Sequence, residues 1–430
     1  MHIAHRFFDC SPQMVRSDQE TLITVRPLYD HVRLNDSDTY QIALIPTSGV
    51  DGQTAFAQYP RQQVTAKNGT ISVPLAFGSE QEHVLLLERV VDGQASLLAE
   101  FRLYALDQDL FDRRPYKGDT HMHTYYSDGG ESPAFVAASC RKIGLDFAAI
   151  TDHRQYPPSL EAIKAFEDVD IALRLYPGEE VHAPNNPVHI VNFGGSFSVN
   201  ALFESPSYRQ EVAAIEEELS SVPAGVDRYS LAACVWCFRK IREGGGLAVF
   251  CHPYWLCNYR YDVPEYLTDL LFDLQPYDAL ELIGGYHLFE AESNMLQVAR
   301  YYDERAKGKR IPIVGASDSH GCEQAALFGW YYTIVFAKSS DLPDLVDGVR
   351  DLYSLAVEAL PNEQIRAFGP FRLVKYAQYL IREVFPKHDE LCVEEGRLML
   401  AHAAGDATAS AALSALKSRT ADLYDRLWGK

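Results

Sequence analysis

The stretch KGDTHMHTYYSDGG, from Lys117 to Gly130, places two histidines one residue apart among aspartates. His121 and His123 could bind a metal ion through their imidazole nitrogens, or they could be two polar residues at the end of a strand. With 14 histidines in the chain, chance alone produces roughly half an H-x-H motif, so the pair by itself predicts little. Whether the two histidines bind a metal ion therefore depends on the side chains that the surrounding strands and helices bring near them.

Further metal-binding side chains recur along the chain at the ends of predicted strands. From Gly118 onward, short apolar segments alternate with longer helical ones, which indicates βα units and a mostly parallel sheet. The predicted strands are GDTHMHT, FAAITDH, ALRLYPGEE, VHIVNFGG, GLAVFCHP, ALELIGG and IPIVGASDSH. The metal-capable residues at their ends are His121 and His123, Asp152 and His153, Glu179 and Glu180, His252, and Asp318 with His320. In a parallel barrel all these ends lie on one face, so we expect the side chains to converge.

The types of these residues indicate what they could bind. Imidazole nitrogens mixed with carboxylates suit Zn, Mn or Fe better than Mg or Ca. The residues exceed the needs of one tetrahedral site, so we expect two or three divalent ions with a carboxylate that bridges two of them. Such sites clamp an in-line displacement at phosphorus and lower the pKa of a bound water, which then acts as the nucleophile. No serine or cysteine nucleophile is required.

Other patterns predict the organisation of the chain. Residues 1–112 alternate with period two, as in TLITVRPL and HVLLLERV, which predicts an antiparallel, β-sandwich-like domain. Residues 113–340 would form the metal-hydrolase barrel. Residues 341–430 show helical spacing in LPDLVDGVRDLYSLAVEAL and FRLVKYAQYLIREVF, which predicts a helical extension. Ser132 and Pro133 predict the start of a helix that Gly144 ends.

Composition limits the partners. Lys and Arg number 39 and Asp and Glu 59, a formal net charge of −20, which disfavours long nucleic acid as a partner. A small phosphorylated substrate or a short nucleotide fits a local pocket. No signal-like start or run of about 18 apolar residues is present, so we expect a cytoplasmic protein without a membrane partner, and a homo-oligomer is possible. The C-x-x-C of Cys234 and Cys237 has no second pair, which favours buried structural cysteines.

The motifs resemble those of the polymerase and histidinol phosphatase (PHP) family. THMHTYYSDGGESPAFVAASCRKIGLDFAAITDH is similar to the first two motifs of that family, and YPGEEVH, VHIVNFGG, AVFCHPYW and GASDSHG are similar to the later ones, in the same order. The resemblance covers about residues 117 to 337. The flanking segments lie outside it.

This resemblance implies a distorted (β/α)7, TIM-like barrel and metal-dependent hydrolysis of phosphate esters. Glu180 rather than Glu179 matches the Pro-Gly-x-Glu pattern of the family, and Asp128 stands where some relatives carry histidine. The implied ligands fall into three groups: His121, His123, Asp318 and Glu180; Glu180 again with His189 and His252; and Asp128, His153 and His320.

Residues beside these ligands have predicted roles of their own. Arg154 could bind a phosphate oxygen with its two-pronged guanidinium or form a surface ion pair. His287, His320 and His182 could contact the substrate or protonate a leaving oxygen, although a structural role is open for His182 and His287. Asp152 and Asp119 would orient neighbouring groups. The possible aromatic walls are Tyr125, Tyr126, Tyr254 and Trp255.

Two alternatives remain open. One is an amidohydrolase-like metal enzyme that cleaves a C–N or C–O bond; such enzymes commonly use a carbamylated lysine, and no lysine stands at the end of a predicted strand. The other is a metal-stabilised binding or regulatory scaffold. An intact ligand set on an open face disfavours the scaffold, because a structural site needs fewer ligands.

Overall fold

The computed structural model describes residues 7–50, 52, 54, 58–220, 222, 227–286, 290–323 and 327–430. The chain forms two compact units, where the sequence predicted three segments. Unit 1 comprises residues 1–114, 375–387 and 419–430, and unit 2 comprises residues 115–374 and 388–418.

Unit 1 is built from two β-sheets. Its strands and one short helix are β1 (Phe8–Ser11), β2 (Met14–Arg16), β3 (Glu20–Pro27), β4 (Thr39–Pro46), β5 (Gln62–Val64), β6 (Ile71–Ala76), β7 (Gln81–Val91), β8 (Gln94–Leu106) and α1 (Gln108–Phe111). One sheet has the order β1-β3-β6 and the other β2-β8-β7-β4-β5. All these pairings are antiparallel except that of β2 with β8.

The two sheets of unit 1 share one apolar core. Buried residues of both sheets, among them Ile23 and Val73 on one and Ile42 and Leu85 on the other, belong to a single packed cluster. The alternating burial of β6 and β7 reflects the period-two pattern of the sequence. The burial of these strands follows the sequence pattern, and a separate β-sandwich-like domain over residues 1–112 stays a prediction.

Unit 2 contains the alternating strands and helices. Its strands are β9 (Arg114–Asp119), β10 (Phe147–Ala149), β11 (Arg174–Tyr176), β12 (Gly178–His182), β13 (His189–Phe193), β14 (Leu247–Phe250), β15 (Leu256–Cys257), β16 (Arg260–Tyr261), β17 (Ala279–Gly284), β18 (Ile313–Ala316), β19 (Tyr331–Ala337), β20 (Ser354–Glu358) and β21 (Arg366–Phe368). The remaining helices of the chain are α2 (Pro133–Lys142), α3 (Pro157–Lys164), α4 (Ser207–Glu218), α5 (Arg228–Glu243), α6 (Glu265–Leu274), α7 (Ala291–Ala306), α8 (Leu342–Arg350), α9 (Phe371–Glu383), α10 (Phe385–Ala403), α11 (Ala409–Leu416) and α12 (Arg419–Trp428).

The main strands of unit 2 form two mixed sheets. Their orders are β11-β10-β9-β19-β20-β21 and β12-β13-β14-β17-β18. Parallel pairings join β9 to β10, β14 to β17, and β17 to β18, whereas β13 pairs antiparallel with both β12 and β14. Residues of both sheets, such as Phe147, Val249 and Val314, pack in one shared core. The α/β class is confirmed, and the closed seven-stranded barrel stays a prediction.

The prediction that residues 341–430 are helical throughout is wrong for two segments. Helix α8 ends at Arg350, and Leu352 has a left-handed φ of +66°, which stops the helix. The next residues form β20, which is buried along its whole length and pairs antiparallel with β19. The apolar spacing of YSLAVEAL fits a helix or a strand, and the unpaired edge of β19 decides for the strand.

The helix caps and the buried cysteines that the sequence predicted are present in the structure. The Ser132 side chain accepts a hydrogen bond from Phe135 N–H (3.3 Å), with Pro133 at the first position of α2, as predicted. Gly144 follows that helix with φ +94°. Cys234 and Cys237 are buried on α5 and form no disulfide. Among the described residues, no helix is long and apolar enough to span a membrane.

Candidate metal centre

Backbone hydrogen bonds tie the strand ends of unit 2 to one another. Asp318, after β18, donates its N–H to the carbonyl oxygen of His121, after β9 (2.9 Å). Arg154, after β10, donates its N–H to the carbonyl oxygen of Glu180 on β12 (2.9 Å). The first of these bonds joins residues that are nearly 200 positions apart in the chain, and together they hold four strand ends at one edge of the sheets.

Ten side chains meet at this edge, and we call them the Glu180 cluster. They are His121, His123, Asp128, His153, Glu180, His182, His189, His252, Asp318 and His320. The cluster contains all nine predicted ligands and one further histidine, His182. That they bind metal stays a prediction.

Glu180 lies at the centre of the cluster and is completely buried. Ring nitrogens of six histidines surround its two carboxylate oxygens. The nitrogen-to-oxygen distances are 2.8 Å for His189, 3.3 Å for His182, 3.5 Å for His252, 3.6 Å for His121 and 3.7 Å for His123, and His153 is also in contact.

The remaining two carboxylates of the cluster lie on opposite sides of the His123 ring, one beside His121 and the other beside His153 and His320. Oδ1 of Asp318 lies 3.3 Å from Nε2 of His121 and 2.8 Å from Nε2 of His123. At the outer side, the Asp128 oxygens lie 3.4 Å from Nε2 of His153 and 3.3 Å from Nε2 of His320.

Asp128 differs from the other carboxylates in its exposure. Its side chain is 55% exposed, whereas that of Asp318 is 14% exposed. The group that contains Asp128 is therefore the most accessible part of the cluster.

The strand directions explain how His189 reaches the cluster although it begins a strand. Strand β13 runs antiparallel to β12, so the first residue of β13 lies opposite the last residue of β12. His182 and His189 are direct cross-strand partners, and their rings stack with centroids 3.9 Å apart.

Several buried polar atoms of the cluster have no hydrogen-bond partner among the described residues. They are Nε2 of His121, Nδ1 of His189 and both oxygens of Glu180. The rings approach Glu180 closely, but their geometry does not form hydrogen bonds to it. Buried polar groups are rarely left unpaired, and an unpaired buried charge is costly. Imidazole lone pairs and carboxylate oxygens are the donor set that divalent transition metals prefer, so these residues fit such ions.

Electrostatics agree with this fit. Burial alone would raise the pKa of Glu180, but the neighbouring His189 and His121 hold that pKa well below its usual range. Burial would likewise raise the pKa of Asp318, but His121 and His123 lower it below its usual range. Burial lowers the pKa of His182 to about 4, so near neutral pH its ring carries no charge and offers a lone pair.

Asp152 holds the loop that carries Asp128. It accepts hydrogen bonds from the N–H and the hydroxyl of Thr124 (2.8 and 2.7 Å) and from the hydroxyl of Ser127 (2.6 Å). Its predicted role in orienting the turn is confirmed.

Two other buried carboxylates hold the backbone rather than join the cluster. Asp119 accepts hydrogen bonds from His121 N–H (3.2 Å) and Ser317 N–H (3.1 Å). Glu179 points away from Glu180 because successive strand residues face opposite sides, and it accepts hydrogen bonds from Val199 N–H (2.5 Å) and from the side-chain amide of Asn200 (2.9 Å).

Three residues of the site adopt a left-handed backbone although none is glycine. The φ angles are +24° for His252, +50° for Asp318 and +59° for Arg154. Such conformations are strained, and they are retained where the surrounding structure imposes them, typically at functional sites.

Arg154 lines a cleft next to the cluster. Its side chain is exposed, and within the described part of the chain it forms no ion pair, so the surface-pair alternative receives no support. The cleft has a volume of about 690 Å³ and includes His182, which also contacts Glu180. Its wall further includes Tyr156, Asn185, Asn200 and Phe203.

The aromatic residues differ in their position. Tyr125 and Tyr126 are exposed and stacked, with ring centroids 4.8 Å apart. The ring of Trp255 lies 6.1 Å from that of His189, whereas Tyr254 is buried. A substrate-facing role for Trp255 stays a prediction. His287, a predicted catalytic residue, lies outside the described residues.

The sequence did not predict His182 as a member of the Glu180 cluster or Glu281 as a neighbour of it. His182 was considered only as a substrate contact or a structural residue, yet its place two positions after Glu180 on one strand puts both side chains on the same face. Glu281 was not considered at all, and it contacts His121 at 2.8 Å. The available signal was a charged residue inside the apolar strand ALELIGG.

No family model matches the chain. Over 57 residues the chain is 42% identical to the DNA polymerase/3'-5' exonuclease PolX of Bacillus subtilis (strain 168), a match that covers 13% of this chain and 10% of that protein. The chain thus matches about a tenth of the length of this curated relative.

Three solved structures are similar to parts of the chain. A two-domain protein of Bacteroides vulgatus that contains a predicted PHP-like metal-dependent phosphoesterase is 18% identical, with coverage of 57% of this chain and 65% of that one and a TM-score of 0.38. A predicted metal-dependent phosphoesterase of Bifidobacterium adolescentis is 22% identical, with coverage of 54% and 94% and a TM-score of 0.33. An amidohydrolase of Chromobacterium violaceum, with bound sulfate and no metal, is 19% identical, with coverage of 47% and 87% and a TM-score of 0.31.

Two of these solved structures are described as metal-dependent phosphoesterases, one of them as PHP-like, which is the class that the sequence motifs of this chain resemble. At these identities and TM-scores, the solved structures say nothing about its substrate.

Proposed function

We propose that this protein is a metal-dependent phosphoesterase that hydrolyses a small phosphomonoester or a nucleotide-type phosphodiester. The observation that carries the proposal is the buried carboxylate of Glu180, which six histidines surround and whose oxygens accept no hydrogen bond from the described residues. Such an arrangement has a physical rationale only if cations occupy the space between the rings and the carboxylates.

The cluster offers ligands for two or three Zn, Mn or Fe ions. His121, His123, Asp318 and Glu180 would hold one, Glu180 with His189 and His252 a second, and Asp128 with His153 and His320 a third. When bound, these ions would supply the Lewis acidity and the activated water that hydrolysis of a phosphate ester requires.

The chain's own residues would bind and orient the ester. The Arg154 guanidinium can donate two parallel hydrogen bonds to phosphate oxygens, and its strained backbone is fixed by the bond to the Glu180 carbonyl. The adjoining cleft of about 690 Å³ is large enough for the organic part of a small ester. His320, at the exposed side of the cluster, would contact the substrate as well as a metal ion.

The test is hydrolysis by the metal-reconstituted protein across sugar phosphates, nucleoside monophosphates, dinucleotides and, for comparison, amides and lactones. We expect phosphate-ester hydrolysis that His121→Ala abolishes and that the matched variant His402→Ala, at a histidine paired with Asp168 outside the cluster, leaves unchanged. Arg154→Gln should raise KM more than it lowers kcat.

Two outcomes would overturn the proposal. Hydrolysis of amides or lactones but of no phosphate ester would establish the amidohydrolase-like alternative. Native material with fewer than one metal ion per chain and no hydrolysis of any substrate would favour a scaffold. The cytoplasmic location and the small-molecule partners stay predictions.

A further inference from the structure

Glu281 is a buried carboxylate that contacts His121 of the Glu180 cluster. It lies on β17 with no exposed surface, and its Oε2 atom is 2.8 Å from Nδ1 of His121. Its other oxygen, Oε1, has no hydrogen-bond partner in the described parts of the chain. Burying a carboxylate costs several kcal/mol, at an order of magnitude, unless its surroundings compensate. A leucine at this position would avoid that cost, so the glutamate is expected to have a role that depends on its carboxylate.

The fold aims Glu281 at His121 through a local irregularity of its strand. Ala279 packs in the core shared by the two sheets, and Glu281, two positions later, faces the same side. The register with β18 then shifts between Glu281 and Ile283, a β-bulge, so that Ile283 joins Leu282 in the other core. Bulges re-aim side chains and occur next to active sites.

A glycine after the bulge keeps the strands in contact. Gly284 has φ +145°, and a Cβ atom there would lie 1.6 Å from the carbonyl oxygen of Ala316. Only glycine permits this approach, which brings the end of β17 next to β18 and so to Asp318.

The contact with Glu281 determines what His121 can do. A neutral imidazole has one N–H and one lone pair, and an ionised carboxylate only accepts hydrogen bonds. Because Oε2 faces Nδ1, the proton belongs on Nδ1 and the lone pair on Nε2. That bare Nε2 has no hydrogen-bond partner and faces Oδ1 of Asp318 at 3.3 Å and Oε1 of Glu180 at 3.6 Å.

We propose that Glu281 is a positioning residue of the metal centre, which fixes the tautomer and ring orientation of His121 so that its Nε2 lone pair points between Asp318 and Glu180. A carboxylate behind a histidine also raises the basicity of the nitrogen that binds the ion. The inference rests on the metal centre of the proposed function and not on the ester that the protein hydrolyses.

The experiment measures metal affinity by competition with a chromophoric chelator. Glu281→Leu should weaken the tightest site by about 10- to 100-fold, the usual effect of removing such a partner. Glu281→Gln should weaken it less, because its amide oxygen still accepts the hydrogen bond from Nδ1. The matched control is Glu304→Gln, a buried glutamate on α7 that is paired with Lys307, and it should leave the affinity unchanged.

A second measurement covers the case in which Glu281→Leu does not fold. In ¹⁵N-histidine NMR spectra of the zinc-loaded protein, His121 should carry its proton on Nδ1, and Glu281→Gln should partly release this tautomer. An Nε2–H tautomer of His121 in the zinc-loaded protein would overturn the inference. So would a folded Glu281→Leu variant whose metal affinity stays within twofold of native, even if its stability falls.

The outcomes also separate this inference from the proposed function. If the protein binds metal in a Glu281-dependent manner but hydrolyses no phosphate ester, the proposed function fails and the role of Glu281 stands. If the protein hydrolyses phosphate esters and the Glu281 variants bind metal as tightly as the native protein, the proposed function stands and the role of Glu281 fails.

Discussion

Unit 2 contains two buried clusters of charged side chains, and they differ in how their polar atoms are satisfied. In the Glu180 cluster, the central carboxylate has no hydrogen-bond partner among the described residues. In the second cluster, which we call the Asp146 network, the carboxylates receive hydrogen bonds from nearby donors. Its members are Lys117, Arg141, Asp146, His388, Asp389 and Glu395.

The contacts of Asp146 show this difference most clearly. Its Oδ1 accepts hydrogen bonds from His388 Nε2 (2.8 Å) and from the Arg141 guanidinium (3.1 Å), and its Oδ2 accepts one from Lys117 N–H (3.0 Å). Arg141, which is also fully buried, donates a further bond to Glu395 (2.7 Å). The network is complete without a ligand.

The comparison separates two uses of buried charge. A network whose donors and acceptors match stabilises one arrangement of α2 and α10 within unit 2. A cluster whose central carboxylate and facing imidazole nitrogens form no hydrogen bonds among the described residues fits a cation from outside the chain. Histidines and carboxylates occur in both, so residue type alone does not distinguish them.

The largest expected effect concerns the centre of the Glu180 cluster. Glu180→Gln keeps the volume and removes the charge that would bridge two ions, so metal content should fall and hydrolysis should decrease by roughly 1000-fold or more, beyond the 10- to 100-fold typical of outer partners. Elemental analysis and steady-state kinetics measure both. A Glu180→Gln variant with native metal content and activity would contradict the assignment, and Glu304→Gln is the control.

The Asp146 network should respond in the opposite way. Arg141→Met removes the buried guanidinium that pairs with both Asp146 and Glu395, which should lower the free energy of unfolding of unit 2 by about 3–5 kcal/mol. Metal affinity should not change. Urea denaturation measures the loss, and Arg239→Met, at an exposed pair with Glu218, should cost less than about 1 kcal/mol. A loss of metal affinity in Arg141→Met would show that the two clusters are coupled.

The smallest expected effect is a pH dependence of stability. Burial would raise the pKa of Asp146, but His388, Arg141 and the Lys117 N–H together lower it to about 2. An unfolded aspartate has a pKa of about 3.9, so the contribution of Asp146 is complete above pH 4 and is lost as the pH falls toward 2, by on the order of 2 kcal/mol.

The measurement is acid unfolding of the metal-free protein compared with that of Asp146→Asn. The native protein should lose more stability between pH 4 and pH 2 than the variant does. Asp170→Asn, at an exposed aspartate paired with Lys417, should behave like the native protein. Identical acid profiles for native protein and Asp146→Asn would refute the role of this carboxylate.

Much of the site was predictable because strand ends are visible in the sequence. Apolar segments followed by His or Asp located His121, His123, His153, His252 and Asp318, and the structure brings them together. The order of the sheets was less accessible, since an apolar segment such as β13 does not show whether it runs parallel or antiparallel to its neighbour. His189 reaches the cluster only because β13 is reversed.

The sequence by itself determined the alternation of strands and helices, the caps of α2 and the chemical types that could bind metal. Tertiary structure alone decided that residues after Arg350 return to a strand beside β19, that His182 joins the cluster, and that Glu281 lies behind His121. It also decided which buried charges are satisfied, because a hydrogen bond depends on the direction and distance of groups that lie hundreds of positions apart. The physical reason is that residue type and spacing fix which groups are available, whereas only packing fixes which of them meet.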